Sequence, residues 1–236
     1  AKRTIDAKEL VIGPGIVDIH THYDAQVLWD PLFTSSIWHG VTSVVMGNCG
    51  FTIAPCKPDD RDYIMRMLAR VEGMSLGALQ QGPEWEWDSF RGYMERVGQK
   101  IGLNVACQVG HSAIRYHVMG PAATEREARP EEIEQMCALL RDALGAGGVG
   151  FTTSISSAHV DWDGNPVPSR FASTDELDAL VGPVRVGEAP VAALAAARVE
   201  LHRRCGPRRM GKEHQPLPVE SDLITRGRAL YSGFPL

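Results

Sequence analysis

Four short apolar runs, each ended by small or polar residues, divide the first 181 residues of the chain. These runs lie at residues 15–22, 42–46, 104–109 and 148–153. Short runs of β-branched residues that are bounded by Gly, Pro or Asn are typical of buried strands. We therefore predict four strands.

Amphipathic segments with helical spacing lie between the predicted strands, at residues 59–71, 87–97 and 130–144. The last of these is the clearest helix, because Pro130 stands in its first turn, two glutamates follow, and a glycine cluster ends it. The second begins at a cap on Asp88 or Ser89. A Ser-x-x-Glu pattern at 173–176 predicts a capping box and a further helix start.

Alternation of strands and helices predicts an α/β fold with a parallel sheet. In such folds the reactive groups gather at the carboxyl ends of the strands. Those ends are therefore the positions at which we look for chemistry.

Composition excludes several classes of protein. The chain is 44% hydrophobic and 22% charged, which is in the globular range. It has neither a long apolar span nor a signal-peptide pattern, so a membrane or exported form is disfavoured. Its five cysteines include no CxxC pair, which predicts a reducing, cytoplasmic setting. A net charge of −5 argues against a nucleic-acid partner.

The charge and the amino-acid composition of the chain change near residue 181. Residues 1–181 carry a charge balance of −9 and 14 of the 16 aromatic residues, whereas residues 182–236 carry a balance of +4. The second segment is basic and rich in Ala, Arg and Pro. We expect at most one short helix in it, at 191–202.

The first predicted strand ends in Asp18, His20 and His22, which a period of two places on one face. Two histidines in such a pattern suit a metal ion, but taken alone they are weak evidence, because solvent-facing or hydrogen-bonded histidines are the more common case. Cys49 ends the second predicted strand. It is either a thiolate ligand or a small buried residue.

Longer motifs decide between these readings. They are PGIVDIHTH at 14–22, HTHYDAQ at 20–26, HGVTSVVMGNCGFTIAPC at 39–56, NVACQVGHSAIRYHVMG at 104–120, and the segment 148–177. Together they make residues 1–181 resemble the amidohydrolase superfamily, and within it the D-aminoacylase branch of N-acyl-D-amino-acid deacylases.

The resemblance implies a fold. It predicts that residues 15–181 form about four βα units, the first half of a (β/α)8 TIM-like barrel, with strand order 1-2-3-4 and an open sheet. Residues 1–14 would be a strand remnant of a small N-terminal β-sandwich domain. Residues 182–236 match no part of the family. Our hypothesis is that a frameshift produced this divergent tail.

The resemblance also implies a metal site. It assigns His20, His22 and Cys49 as ligands of one or two divalent ions, with zinc the expected cofactor. In related branches a carboxylated lysine on the fourth strand bridges two metals, but no lysine lies near residues 148–154. Cys49 stands where the D-aminoacylase branch has a cysteine in that role.

Other site residues are less defined. Asp18 and Asp24 flank the histidines and could hold an imidazole N–H or cap a loop. His111 could contact the ligands or the substrate, or be structural. Two later histidines and a general-base aspartate of the family find no match in residues 182–236, so the catalytic residues are unknown.

Three functions compete. The first is hydrolysis of a non-peptide C–N bond, most simply the deacylation of a small N-acyl-D-amino acid to a D-amino acid and a carboxylate. The second is hydrolysis of a cyclic amide or imide, which the missing lysine disfavours. The third is a catalytically inactive half-barrel.

Overall fold

The computed structural model describes residues 6, 8, 9, 11–82, 84–99 and 101–186. Five strands occur in this part of the chain. They are Ile16–Asp18 (β1), Val41–Met46 (β2), Asn104–Cys107 (β3), Val109–Gly110 (β4) and Phe151–Thr152 (β5).

Seven α-helices occur in the same described residues. They are Thr34–Ile37 (α1), Arg61–Val71 (α2), Leu76–Gln81 (α3), Phe90–Val97 (α4), His111–Met119 (α5), Pro130–Gly145 (α6) and Thr174–Val186 (α7).

All strand pairs are parallel. β2 lies between β1 and β3, and β4 pairs with β5. Only Gln108 separates β3 from β4, so the two together correspond to the third predicted strand. The strands therefore follow one another in chain order, and the prediction of a parallel α/β fold is confirmed. The half-barrel with an open sheet stays a prediction.

The first strand is shorter than predicted. It ends at Asp18, whereas the apolar pattern placed its end at residue 22. The carboxylate of Asp18 accepts the backbone N–H of His20 at 3.2 Å, which takes that group out of the strand ladder. The histidines consequently lie in the segment that follows β1.

Two predicted helices begin as their caps indicated. Ser89 accepts the N–H of Gly92 at 3.2 Å and starts α4. Helix α6 begins at Pro130 and ends one residue after the predicted end. The short helix α3 and helix α5 were not predicted. Helix α5 begins at His111, directly after β4, where the sequence pattern indicated only the end of a strand.

The capping box at the start of α7 is only half formed. The Ser173 hydroxyl accepts the N–H of Glu176 at 3.2 Å, as predicted. The Glu176 side chain does not return to the backbone of Ser173. It is fully buried and turns towards His111. Helix α7 runs to Val186 and so crosses the composition boundary at 181.

The core lies between the sheet and the helices. Met46 of β2, Cys107 of β3 and Leu140 of α6 are completely buried in it. Cys56 and Cys137 are also buried. Cys56, Cys107 and Cys137 are free thiols. Rigid packing behind the sheet fixes the carboxyl ends of the strands, where the candidate site lies.

Among the residues described, no helix is both long and apolar enough to cross a membrane. The cytoplasmic location stays a prediction. The helix predicted at 191–202 lies outside the described residues, as do most of the divergent tail and much of the segment 1–14. The domain boundaries proposed for those segments also stay predictions.

Candidate metal centre

Three side chains named from the sequence meet at the carboxyl ends of β1 and β2. The potential ligand atoms of His20, His22 and Cys49 all lie within 4.8 Å of one another. The Cys49 sulfur is 3.4 Å from Nε2 of His20, and the two imidazole rings stand edge to face with their centroids 5.3 Å apart. The structure thus brings the set together, and its use as a metal site remains a proposal.

The backbone around Cys49 turns sharply. Gly47, Cys49 and Gly50 have φ values of 79°, 56° and 82°, all in the left-handed region. Glycine adopts this region at little cost, but a residue with a Cβ pays about 1–3 kcal/mol. Cys49 is therefore held in a strained conformation that the surrounding contacts must maintain.

Asn48 provides one set of those contacts. It is completely buried, and its amide donates to the carbonyl oxygens of Thr21 at 3.2 Å and Val45 at 3.0 Å. Its own side-chain oxygen accepts from Gln108 at 3.1 Å. Thr21 stands between the two histidines. Asn48 therefore links the histidine segment, residues 20–22, to the cysteine loop, residues 47–50.

Thr152, at the end of β5, provides a second set. Its hydroxyl oxygen accepts the N–H of Gly50 at 3.1 Å, and the same hydroxyl donates to the carbonyl of Gly47. One buried side chain thus holds both ends of the loop that carries Cys49.

Of the two roles expected for Asp24, the structure favours the one in a loop. It is buried and accepts the N–H of Gly47 at 3.0 Å through Oδ2, so it supports the cysteine loop and does not hold an imidazole. Burial raises the pKa of Asp24 to about 7, and the hydrogen bond from Gly47 opposes this shift. Asp18 likewise contacts a backbone N–H, that of His20, and not its ring.

His111 lies in a buried polar cluster. It is completely buried, with Nε2 2.7 Å from Glu176 and Nδ1 2.8 Å from the Thr153 hydroxyl. The Arg115 guanidinium is 2.9 Å from the same Glu176 oxygen. This position favours the structural alternative for His111 over substrate contact.

His22 has a carboxylate neighbour that the sequence did not reveal. Nδ1 of His22 lies 3.4 Å from Oε1 of Glu72, the residue that follows α2. Burial, with the nearby charges of His20 and His159, lowers the pKa of His22 to about 4. The imidazole is therefore neutral at pH 7 and has a lone pair to give to a metal. Burial also raises the pKa of Glu72 to about 7.

His159 is a second neighbour that sequence reasoning missed. Its Nδ1 lies 2.7 Å from the Ser154 hydroxyl, and its ring stands edge to face with Phe51 at 5.0 Å. No fixed spacing in the sequence signals that Glu72 or His159 lies near His22, because each arrives from a different loop.

Comparison with known proteins places the chain in a family. A family model described as "Amidohydrolase family" matches residues 3–184. An uncharacterised protein of Mycobacterium tuberculosis is 36% identical over 191 residues, which cover 77% of this chain and 31% of that protein.

Two relatives from Alcaligenes xylosoxydans xylosoxydans have described activities. A D-aminoacylase is 34% identical across 65% of this chain and 29% of its own length. An N-acyl-D-glutamate deacylase is 32% identical across 86% of this chain and 35% of its own length. The chain thus spans about a third of the length of these relatives.

Solved structures agree with this assignment. A D-aminoacylase variant in complex with copper chloride gives a TM-score of 0.55 at 34% identity, covering 73% of this chain and 32% of that one. An N-acyl-D-glutamate deacylase from Bordetella bronchiseptica, complexed with zinc and a phosphonate mimic of the tetrahedral intermediate, gives 0.57 at 26% identity. That match covers 79% of this chain and 37% of that one.

Proposed function

We propose, from the premise that this chain belongs to the amidohydrolase family, that it contributes to a zinc-dependent hydrolase that removes the acyl group from N-acyl-D-amino acids. The resemblance to D-aminoacylases is confirmed by relatives that bear this name. The products would be a D-amino acid and a carboxylate.

One observation carries the proposal: His20, His22 and Cys49 place their ligand atoms within 4.8 Å of one another. Two imidazole nitrogens and a thiolate sulfur form a donor set that suits zinc. The set sits at the carboxyl ends of parallel strands, where α/β enzymes bind their substrates.

When bound, a divalent ion would activate water and polarise the amide carbonyl of the substrate. The protein's own part is to hold the donors in place. His20 and His22 would supply ring nitrogens, and the strained loop would present the Cys49 sulfur. Asn48 bonds that loop to the histidine segment, and Thr152 holds the loop in its conformation.

The substrate class rests on the relatives. Two curated relatives are named for acidic N-acyl-D-amino acids, D-aspartate and D-glutamate, and a solved relative holds a mimic of a tetrahedral intermediate. A tetrahedral intermediate is what attack of water on an amide carbonyl produces. N-acyl-D-amino acids are therefore the first substrates to test.

The experiment combines zinc content with turnover on the purified 236-residue chain. N-acetyl-D-glutamate, N-acetyl-D-aspartate and N-acetyl-D-leucine are assayed beside their L-enantiomers, with Cys49→Ala as the matched variant. We expect bound zinc, hydrolysis of D-substrates only, and loss of both in the variant.

Turnover should be slower than that of a full-length D-aminoacylase. General acid–base catalysis is worth about 10²–10⁴-fold, and among the described residues none has been matched to the family's general-base aspartate. Equal hydrolysis of D- and L-substrates, or full turnover without the Cys49 thiol, would contradict the proposal.

A further inference from the structure

Glu72 stands at the end of α2, with its side chain directed at one of the candidate ligands. Its Oε1 lies 3.4 Å from Nδ1 of His22, and the two side chains are only 15% and 19% exposed. Nδ1 of His22 is itself buried and forms no hydrogen bond with another described residue. Glu72 thus brings a carboxylate next to an otherwise unsatisfied ring nitrogen of the site.

Glu72 is held by packed structure and is not a mobile surface group. Its backbone N–H donates to the carbonyl of Leu68 at 2.9 Å and closes the last turn of α2. Ile64, Met67 and Leu68 anchor that helix in the core. The next residue, Gly73, turns the chain away with a φ of 64°. The carboxylate therefore approaches His22 from a fixed direction.

A histidine that binds a metal through one ring nitrogen usually donates its other N–H to a carboxylate or a carbonyl. That outer hydrogen bond selects the tautomer and fixes the plane of the ring. At His22 the nitrogen facing the carboxylate is Nδ1, so Nε2 is left for a metal. The Nε2 atom of His20 lies 3.4 Å from the Cys49 sulfur.

We propose that Glu72 is a positioning residue that accepts the Nδ1–H of His22 and so directs Nε2 towards the metal. The inference rests on the metal site proposed above, and it adds an outer carboxylate to it. Glu72 itself does not join the ligand group of His20, His22 and Cys49, so it acts through His22.

The first test needs no metal. In the metal-free, ¹⁵N-labelled 236-residue chain, the ring nitrogen shifts of His22 report its tautomer; a His22→Gln spectrum assigns the signals. We expect the Nδ1–H form in the native chain and in Glu72→Gln, whose amide oxygen still accepts. Glu72→Ala should shift His22 towards the Nε2–H form. An unchanged tautomer in Glu72→Ala would overturn the proposal.

The second test measures zinc affinity by competition with a chelator. Loss of an outer hydrogen-bond partner typically weakens metal binding by about 10–100-fold. We expect a loss of that size in Glu72→Ala and a smaller one in Glu72→Gln. Glu95→Ala, an exposed position on α4, is the control and should leave affinity unchanged. Circular dichroism verifies that each variant folds. If Glu72→Ala does not fold, the zinc affinity of Glu72→Gln is compared with that of the native chain instead.

The outcomes separate the two proposals. Zinc binding that is equally tight in the native chain and in both folded Glu72 variants would reject the role of Glu72 and leave the metal site standing. A native chain that binds no zinc would reject the metal site. The tautomer measurement would still decide whether Glu72 orients His22.

Discussion

The sulfur of Cys49 lies 3.4 Å from Nε2 of His20, although 29 positions separate the two residues in the chain. They meet because β1 and β2 are adjacent parallel strands, whose carboxyl ends reach the same edge of the sheet. Backbone and side-chain hydrogen bonds between the two strand ends hold the pair. Its geometry is therefore built into the fold and does not depend on the rotation of long side chains.

Removing the Thr152 hydroxyl should loosen the cysteine loop. Thr152→Val keeps the shape of the side chain but leaves the Gly50 N–H and the Gly47 carbonyl without their shared partner. An unsatisfied buried group costs about 1–3 kcal/mol. We expect a lower free energy of unfolding in urea and weaker zinc binding.

Thr152→Ser is the matched control, because it retains the hydroxyl and loses only a methyl group. Zinc affinity in this variant should stay near the native value. If Thr152→Val and Thr152→Ser bound zinc equally well, the hydroxyl would have no part in presenting Cys49.

Glu176 should be a strong determinant of stability. It is fully buried between His111 and Arg115. Glu176→Ala leaves the buried Arg115 cation without its carboxylate, and breaking a buried pair on one side costs about 3–5 kcal/mol. Urea unfolding monitored by circular dichroism measures the loss.

The double variant Arg115→Met/Glu176→Leu tests whether the unpaired charge of Arg115 causes this loss of stability. It removes both charges and replaces them with apolar groups, so it should be more stable than Glu176→Ala. A double variant that is less stable than the single one would show that Arg115 contributes mainly through its hydrogen bonds to the carbonyls of Ala123 and Pro168.

Lowering the pH should remove the contribution that Glu132 makes to the stability of the folded protein. The paired hydrogen bonds from Arg126, both 2.7 Å long, lower the pKa of Glu132 to about 2 from an ordinary value of 4.5. A carboxyl whose pKa is lowered by folding stabilises the protein above its unfolded pKa, and this contribution disappears as pH falls through the folded pKa.

The urea midpoints of the native chain and Glu132→Gln should therefore differ at neutral pH and converge between about pH 5 and about pH 2. Glu134→Gln, on the exposed side of the same helix, controls for a general loss of charge. A gap between native and Glu132→Gln midpoints that stays constant with pH would contradict the ion-pair explanation.

Zinc should stabilise the native chain against heat. A ligand that binds only the folded state adds about 2.7 kcal/mol at one hundred times its dissociation constant. We expect zinc to raise the thermal midpoint of the native chain, a chelator to reverse the rise, and Cys49→Ala to show no rise. A zinc-induced shift of equal size in Cys49→Ala would place the binding elsewhere.

The strands could be predicted because their signals are local, as the apolar runs of β2 and β3 show. The three candidate ligands were named from the family resemblance, which the HTH and GNCG motifs help to carry, and the structure brings them together. The end of β1 was misplaced because the Asp18 carboxylate competes for the His20 N–H. Likewise, Glu176 fits a capping box in sequence, but burial beside Arg115 overrides it.

The supporting residues could not be predicted from one sequence. Thr152 reaches the Gly50 N–H across 102 positions, and Glu72 reaches His22 from the end of a separate helix. No periodicity connects such pairs, since tertiary packing alone brings them together. The sequence left two roles open for Asp24 for the same reason, and its carboxylate accepts the Gly47 N–H in the loop.

X-ray absorption at the zinc edge of the loaded 236-residue chain tests the metal site most directly. The spectrum should show one sulfur at about 2.3 Å and imidazole nitrogens at about 2.0–2.1 Å. In Cys49→Ala the sulfur shell should vanish. A native spectrum with only nitrogen and oxygen neighbours, or a sulfur shell that persists in Cys49→Ala, would contradict a site formed by His20, His22 and Cys49.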